Sequence, residues 1–127
     1  MKPTELRGVA RLISAARNSF SGFRDAWTRE PAFRQEVLLL IPGIPAAIWI
    51  GESIGQIGLL LGSLLFLILV EILNSALEAV VDRIGPERHE LSRIAKDLGS
   101  AAVMLATLFP LAVWITLLLS KLGWVTL

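Results

Sequence analysis

Residues 64–85 read LLFLILVEILNSALEAVVDRIG, and their reading decides the fold. The segment opens as a run fit for a lipid bilayer, then admits Glu71, Asn74, Ser75, Glu78 and Asp82. Successive residues of an α-helix turn by about 100°, so these polar residues fall within an arc of about 100° and form one stripe. Counted from Ser53 at about 1.5 Å per residue, Glu71 stands about 27 Å along the helix. That is close to the boundary of the hydrocarbon. Glu78 and Asp82 follow in the interface or beyond it. The stripe starts at the membrane edge and rises out of it.

Three long runs carry no charge: 37–51, 53–70 and 98–120. A spanning helix needs about 20 mainly apolar residues. The third run meets this alone, and the second meets it once it continues past Glu71. The first, VLLLIPGIPAAIWIG, holds Pro42 and Pro45 and reaches spanning length by extension through residues 32–36. Membrane helices tolerate such prolines, usually with a kink. The pattern predicts membrane helices over 32–51, 53–82 and 92–120. Ahead of them, residues 5–29 place Leu6, Val9, Ile13, Ala16, Phe20, Phe23 and Trp27 on one helical face. Arg7, Arg11, Ser14, Asn18 and Asp25 fall largely on the other. A basic helix with an aromatic apolar face suits the membrane interface. The expectation is an all-α membrane protein, with residues 1–127 forming one domain.

Composition narrows the chemistry. The chain has 127 residues, 54% of them apolar, which suits a small membrane protein. It has no cysteine, so disulfides, thiolate metal sites and cysteine nucleophiles are excluded. A net charge of +1 carries no signal for nucleic acid. The N-terminus does not read as a cleaved signal peptide. Lysine and arginine are unevenly placed. Lys2, Arg7, Arg11, Arg17, Arg24, Arg29 and Arg34 precede the first run, and Arg83, Arg88, Arg93 and Lys96 lie between the second and third. The positive-inside rule puts the N-terminus and the second loop in the cytoplasm.

The third membrane helix begins ELSRIAKDLGSAAV. Lys96 and Ser100 are four apart and share a face. Gly99 and the alanines allow close helix approach. A lysine beside carboxylates at a membrane surface suits phosphate, although snorkelling to the interface would place Lys96 there too. For Glu71 the alternatives are a functional carboxylate or a structural hydrogen bond or salt bridge between helices. Carboxylates suit Mg²⁺, and Mg²⁺ with arginine and lysine suits nucleotide phosphates. Neither GxxxxGK[ST] nor GxGxxG occurs, and the lone histidine, His89, argues against a histidine zinc site. These residues fit ATP chemistry on a lipid, ion coupling in a carrier, or a small membrane assembly. Carriers commonly show repeated halves and midplane sites. Here nothing repeats, and the polar residues gather at one membrane face.

AFRQE at 32–36, VEILNSALEAVVDRIG at 70–85 and HELSRIAKDLGSAAV at 89–103 resemble the prokaryotic integral-membrane diacylglycerol kinases. The resemblance runs from Arg11 to the third span and is weakest over 37–66. The related undecaprenol kinases share the EILN and AKD pattern; AFRQE and DRIG…HELS favour the diacylglycerol enzyme. The resemblance implies a homotrimer in the bacterial inner membrane. It implies transfer of the γ-phosphate of MgATP to the primary hydroxyl of diacylglycerol, giving phosphatidate. It makes Glu71 the general base and gives Mg²⁺ to Glu30 and Glu78. Lys96, Asp97 and the 87–89 segment (Glu87, Arg88, His89) would lie by the nucleotide, with Arg11 positioning phosphate and Asn18 in the first-helix nucleotide region. Asn74 and Ser100 would line the acceptor site. Ala15, Ala16, Ser19, Trp27 and the 31–36 segment, with Pro31, Ala32, Phe33, Arg34 and Gln35, would flank the lipid. The chain departs from the family pattern where Ser14 replaces a usual lysine. Asn18 and Arg88 replace usual aromatics, and Arg17 replaces a small residue.

Overall fold

The structure, a computed structural model, describes residues 3–127, with side chains from Arg7 onward. Lys2 and the Leu6 side chain, counted above, lie outside the described residues. Four helices follow one another: α1 (Pro3–Arg29), α2 (Pro31–Ile50), α3 (Ile54–Ile84) and α4 (Glu90–Lys121). No strand occurs among the described residues. Helices α2, α3 and α4 are each long and apolar enough to cross a membrane. The all-α architecture, an amphipathic helix ahead of three membrane helices, is therefore the one its periodicities predict.

Each boundary has a local cause. Glu30 adopts an extended conformation between α1 and α2, and Pro31 opens α2. Proline suits a first helical turn because its fixed φ matches the helix and its missing N–H would have had no partner there. Arg34 closes the same corner: its Nη1 donates to the carbonyl oxygens of Trp27 at 2.7 Å and Thr28 at 3.3 Å. Those are end-of-helix carbonyls of α1 that lack intrahelical partners. Between α2 and α3, Ser53 Oγ accepts from the Gln56 amide at 3.1 Å, and Gln56 Oε1 accepts from the Glu52 amide at 2.9 Å. A Cβ at Gly51 would stand 2.5 Å from Ile57 Cγ1, so this turn has room only for glycine. Helix α3 runs to Ile84, two residues past the expected 82, and stops at Gly85, whose φ of 156° is open to glycine. His89 Nδ1 accepts from the Leu91 amide at 3.1 Å and caps α4.

Helix α3 is the centre of the packing, with α4 along one side and α2 along another. Away from the charged end, Ala47, Ile50, Leu60 and Leu117 form a small buried core against Ile57, Val113 and Trp114. Trp114 Nε1 donates to the Leu60 carbonyl at 3.0 Å, satisfying its one polar atom. Phe66 and Phe109 meet edge to face, 5.7 Å between centroids. Lys121 Nζ lies 5.7 Å above the Trp49 ring and ties the far ends of α2 and α4. Pro42, Pro45 and Pro110 sit inside helices that continue through them. Many large apolar side chains face outward, among them Ile48, Leu69, Met104 and Leu105. In a bilayer that is the expected surface, because lipid is as apolar as leucine. The apolar face of α1, with Ile13, Phe20 and Phe23, is uncovered in the same way. This suits a helix lying in the membrane interface.

Candidate active site

The polar stripe of α3 turns inward at one residue. Glu71 is only 7% exposed. The charged groups that bear on it are Glu30, at the α1–α2 corner, and Glu78, two turns on. Glu36 of α2 also lies within reach of Glu71, and its Oε2 is buried with no hydrogen-bond partner. Glu30, Glu36 and Glu78 thus each lie within electrostatic range of Glu71. None takes part in the ion pairs found among the described residues, which join Arg93 to Glu90 and Asp97, and Lys96 to Asp82. Lys96 acts on Glu78 from α4, but the carboxylates outnumber the bases here, and an excess of like charge favours the entry of a cation or a proton.

Glu36 went unremarked in the sequence beyond its place in the 31–36 segment. It is the last charge before the uncharged run 37–51. A carboxylate at the start of a span invites a functional reading, as it does for Glu71. What the sequence lacks is any sign that α2 turns this residue toward Glu71 and away from lipid.

Helix α4 completes the site through a close approach. Asn74 Nδ2 donates to Glu78 Oε1 at 3.3 Å. Asn74 Oδ1 is buried without a partner and points at Gly99, where a Cβ would stand 2.1 Å away. Asn74 therefore holds the Glu78 carboxylate, and the bare backbone of Gly99 makes room for Asn74. Ser100, the next residue, is exposed.

Two hollows lie along the helices that carry these carboxylates. A groove of about 560 Å³ runs between α1, α2 and α3, walled by Phe20, Phe23, Trp27, Phe33, Val37 and Ile68 among others. It adjoins a second depression, shared by Ser19 and Ile72. Ile72 follows Glu71, so this depression lies on the neighbouring face of α3. Of the residues expected to flank lipid, Ser19, Trp27 and Phe33 line these grooves. Ala15 and Ala16 lie on the exposed stretch of α1 outside them, Ala15 accepting a bond from Ser19 Oγ at 2.9 Å. Pro31 and Arg34 build the corner, and Ala32 and Gln35 share its first helical turn.

The other hollow is polar, about 620 Å³, and lies where α3 ends and α4 begins. Asp82, Glu87, Arg88, His89, Arg93 and Lys96 are among its walls. Lys96 Nζ donates to Asp82 Oδ1 at 2.7 Å, and Arg93 Nη1 donates to Asp97 Oδ2 at 2.7 Å. The expected nucleotide residues Glu87, Arg88, His89 and Lys96 are brought together here, with Asp97 held at the edge by Arg93. Arg11 and Asn18 are exposed on α1 and line no part of this hollow.

Among the described residues, no group of three or more acids or histidines forms a ready cage for a metal ion. Glu30 makes no side-chain capping bond, and Glu78 accepts one bond from Asn74. Both keep free lone pairs. That donor set fits Mg²⁺, which is usually held by one or two carboxylates, substrate phosphates and water.

Comparison with known proteins agrees in class. The family model for prokaryotic diacylglycerol kinases matches residues 17–118. A protein named diacylglycerol kinase from Escherichia coli K12 is 47% identical over 116 residues, covering 91% of this chain and 95% of its own length. The protein of that name from Haemophilus influenzae is 45% identical over 107 residues, covering 84% and 91%. That from Pseudomonas aeruginosa is 43% identical over 122 residues, covering 94% and 99%.

Proposed function

This chain belongs to the prokaryotic diacylglycerol kinase family, and we propose that it moves the γ-phosphate of MgATP to the primary hydroxyl of diacylglycerol, giving phosphatidate and ADP. The observation that carries this reading is the position of Glu71. It is a buried carboxylate on a helix that borders an apolar depression through Leu65, Ile68, Leu69 and Ile72 and ends at a charged, polar hollow. Such a place suits a reaction whose donor stays in water and whose acceptor stays in lipid.

The acceptor's acyl chains would lie along Phe20, Phe23, Trp27 and Phe33, with its hydroxyl at Glu71. As the hydroxyl oxygen attacks the γ-phosphorus, the bond to the β,γ-bridging oxygen breaks and ADP leaves. The hydroxyl proton passes to the Glu71 carboxylate, a general base within hydrogen-bond reach. Lys96 and Arg88 would offset the phosphate charge, with Glu87, His89 and Asp97 beside the nucleotide. Glu30 and Glu78 would hold Mg²⁺, whose charge favours the transferring phosphoryl group. Asn74 orients Glu78, and Ser100 borders the acceptor. Exclusion of water by the groove protects the transfer from hydrolysis.

The expected nucleotide residues Arg11 and Asn18 sit on α1, outside the hollow of their own chain. That supports a homotrimer in which α1 of one copy approaches the hollow of another. The run of bases before α2 and between α3 and α4 supports an inner-membrane placement with the N-terminus and the carboxylate site on the cytoplasmic side.

The test is phosphate transfer from labelled ATP in mixed micelles, with diacylglycerol and undecaprenol offered in parallel, with and without Mg²⁺. The expected result is Mg²⁺-dependent phosphatidate. Preferential labelling of undecaprenol would replace the acceptor. No transfer to either from folded protein would overturn the reading.

A further inference from the structure

The bond between Lys96 and Asp82 joins residues 14 apart across α3 and α4, and both residues wall the polar hollow. Lysine has a long, mobile stem and loses rotamer freedom when held. Asp82 is short and is fixed to the last turns of α3. At 2.7 Å it holds Nζ at the rim of the hollow and leaves the ammonium two further N–H donors. The remaining bases divide differently. Arg93 is engaged with Glu90 and Asp97, both on its own helix. Lys96 is the base among the described ion pairs that is held from across the hollow.

We propose that Asp82 is a positioning residue for nucleotide binding, holding the Lys96 ammonium where it meets the phosphates of the donor. It acts through Lys96 and touches neither substrate. The inference rests on the reading that the hollow takes a nucleotide, and it deepens that reading. Both side chains are well exposed, Lys96 at 47% and Asp82 at 66%. The expected effect is therefore that of an exposed pair, roughly a two- to five-fold change. The effect narrows as salt rises.

The experiment measures binding of a non-hydrolysable MgATP analogue by calorimetry to the full-length protein in lipid nanodiscs. Steady-state KM values for ATP and diacylglycerol and the thermal midpoint are taken alongside. Asp82→Asn is expected to weaken analogue binding two- to five-fold and raise KM for ATP alike. KM for diacylglycerol and the thermal midpoint should stay put. Asp82→Glu should recover most of the loss. In Lys96→Gln, adding Asp82→Asn should change nothing more. If Lys96→Gln weakens binding and Asp82→Asn does not, positioning by Asp82 is overturned while the nucleotide reading stands. If Lys96→Gln binds the analogue as well as the unaltered protein does, the nucleotide role of Lys96 falls and this inference falls with it. If Asp82→Asn lowers the thermal midpoint and weakens both substrates equally, or fails to fold while Asp82→Glu folds without restoring ATP binding, Asp82 is a clamp between helices and the proposal is overturned.

Discussion

Asn74 of α3 lies so close to Gly99 of α4 that a Cβ on residue 99 would stand 2.1 Å from the Asn74 Oδ1. The same asparagine donates to Glu78. One helix contact therefore sets the position of one carboxylate. Gly99→Ala must push Asn74 aside or part the helices, at about 1–3 kcal/mol for an overpacked contact. The expected outcome is a lower thermal midpoint together with at least a ten-fold loss of turnover. A variant with unchanged turnover would separate the Asn74–Glu78 bond from function.

Glu71→Gln keeps the shape of the side chain and removes its ability to take a proton. It also removes one charge from a group of carboxylates none of which is in an ion pair among the described residues. The variant should fold at least as stably as the parent and bind the MgATP analogue normally. Turnover should fall by about 10²–10⁴, the usual worth of a general base. Full activity would remove Glu71 from that role, and failure to fold would favour a structural one.

Glu36→Gln tests the partner that α2 contributes. Its Oε2 is buried without a hydrogen bond and near Glu71. Replacing a carboxylate there relieves repulsion, so a thermal midpoint equal to or above that of the parent is expected. If Glu36 belongs to the acceptor side, KM for diacylglycerol rises while analogue binding holds. A fall in stability would mean that Glu36 has an unrecognised stabilising partner.

Glu78→Gln should raise the Mg²⁺ concentration needed for half-maximal activity by about ten-fold or more, since a neutral amide is a poorer ligand for a hard cation. A titration of activity against Mg²⁺ at fixed ATP reads this directly. An unchanged Mg²⁺ requirement would contradict the assignment.

Gly51→Ala is the contrasting case, far from the carboxylates. A Cβ there meets Ile57 Cγ1 at 2.5 Å and the Ala47 carbonyl at 3.0 Å. The cost should be about 1–3 kcal/mol of stability, seen as a lower thermal midpoint. Both KM values should hold in the protein that remains folded.

Much of this is legible in the sequence, because it follows from helix geometry alone. A turn of about 100° per residue places Glu71, Asn74, Ser75, Glu78 and Asp82 on one stripe wherever the helix packs. The apolar faces of α1 and the three spans follow from the same arithmetic and from the thickness of a bilayer. The fit of AFRQE, EILNSALEAVVD and AKDLGSAAV to one family was likewise present in the letters.

What the letters left open was register between helices. Whether Glu36 faces Glu71 or lipid depends on how α2 is rotated against α3. The Arg34 bonds to α1 carbonyls and Pro31 at the first turn set that corner. Lys96 read equally as a snorkelling lysine until α4 was seen to bring it to Asp82. His89, which in the letters argues against a zinc site, has its ring as the cap of α4. Which face of each helix is polar depends only on spacing along one chain, and so can be read from the letters. The tertiary structure alone decided which polar faces meet. Meeting depends on close approach at Gly99 and on the packing of α2 and α4 around α3, and neither is a property of any single segment.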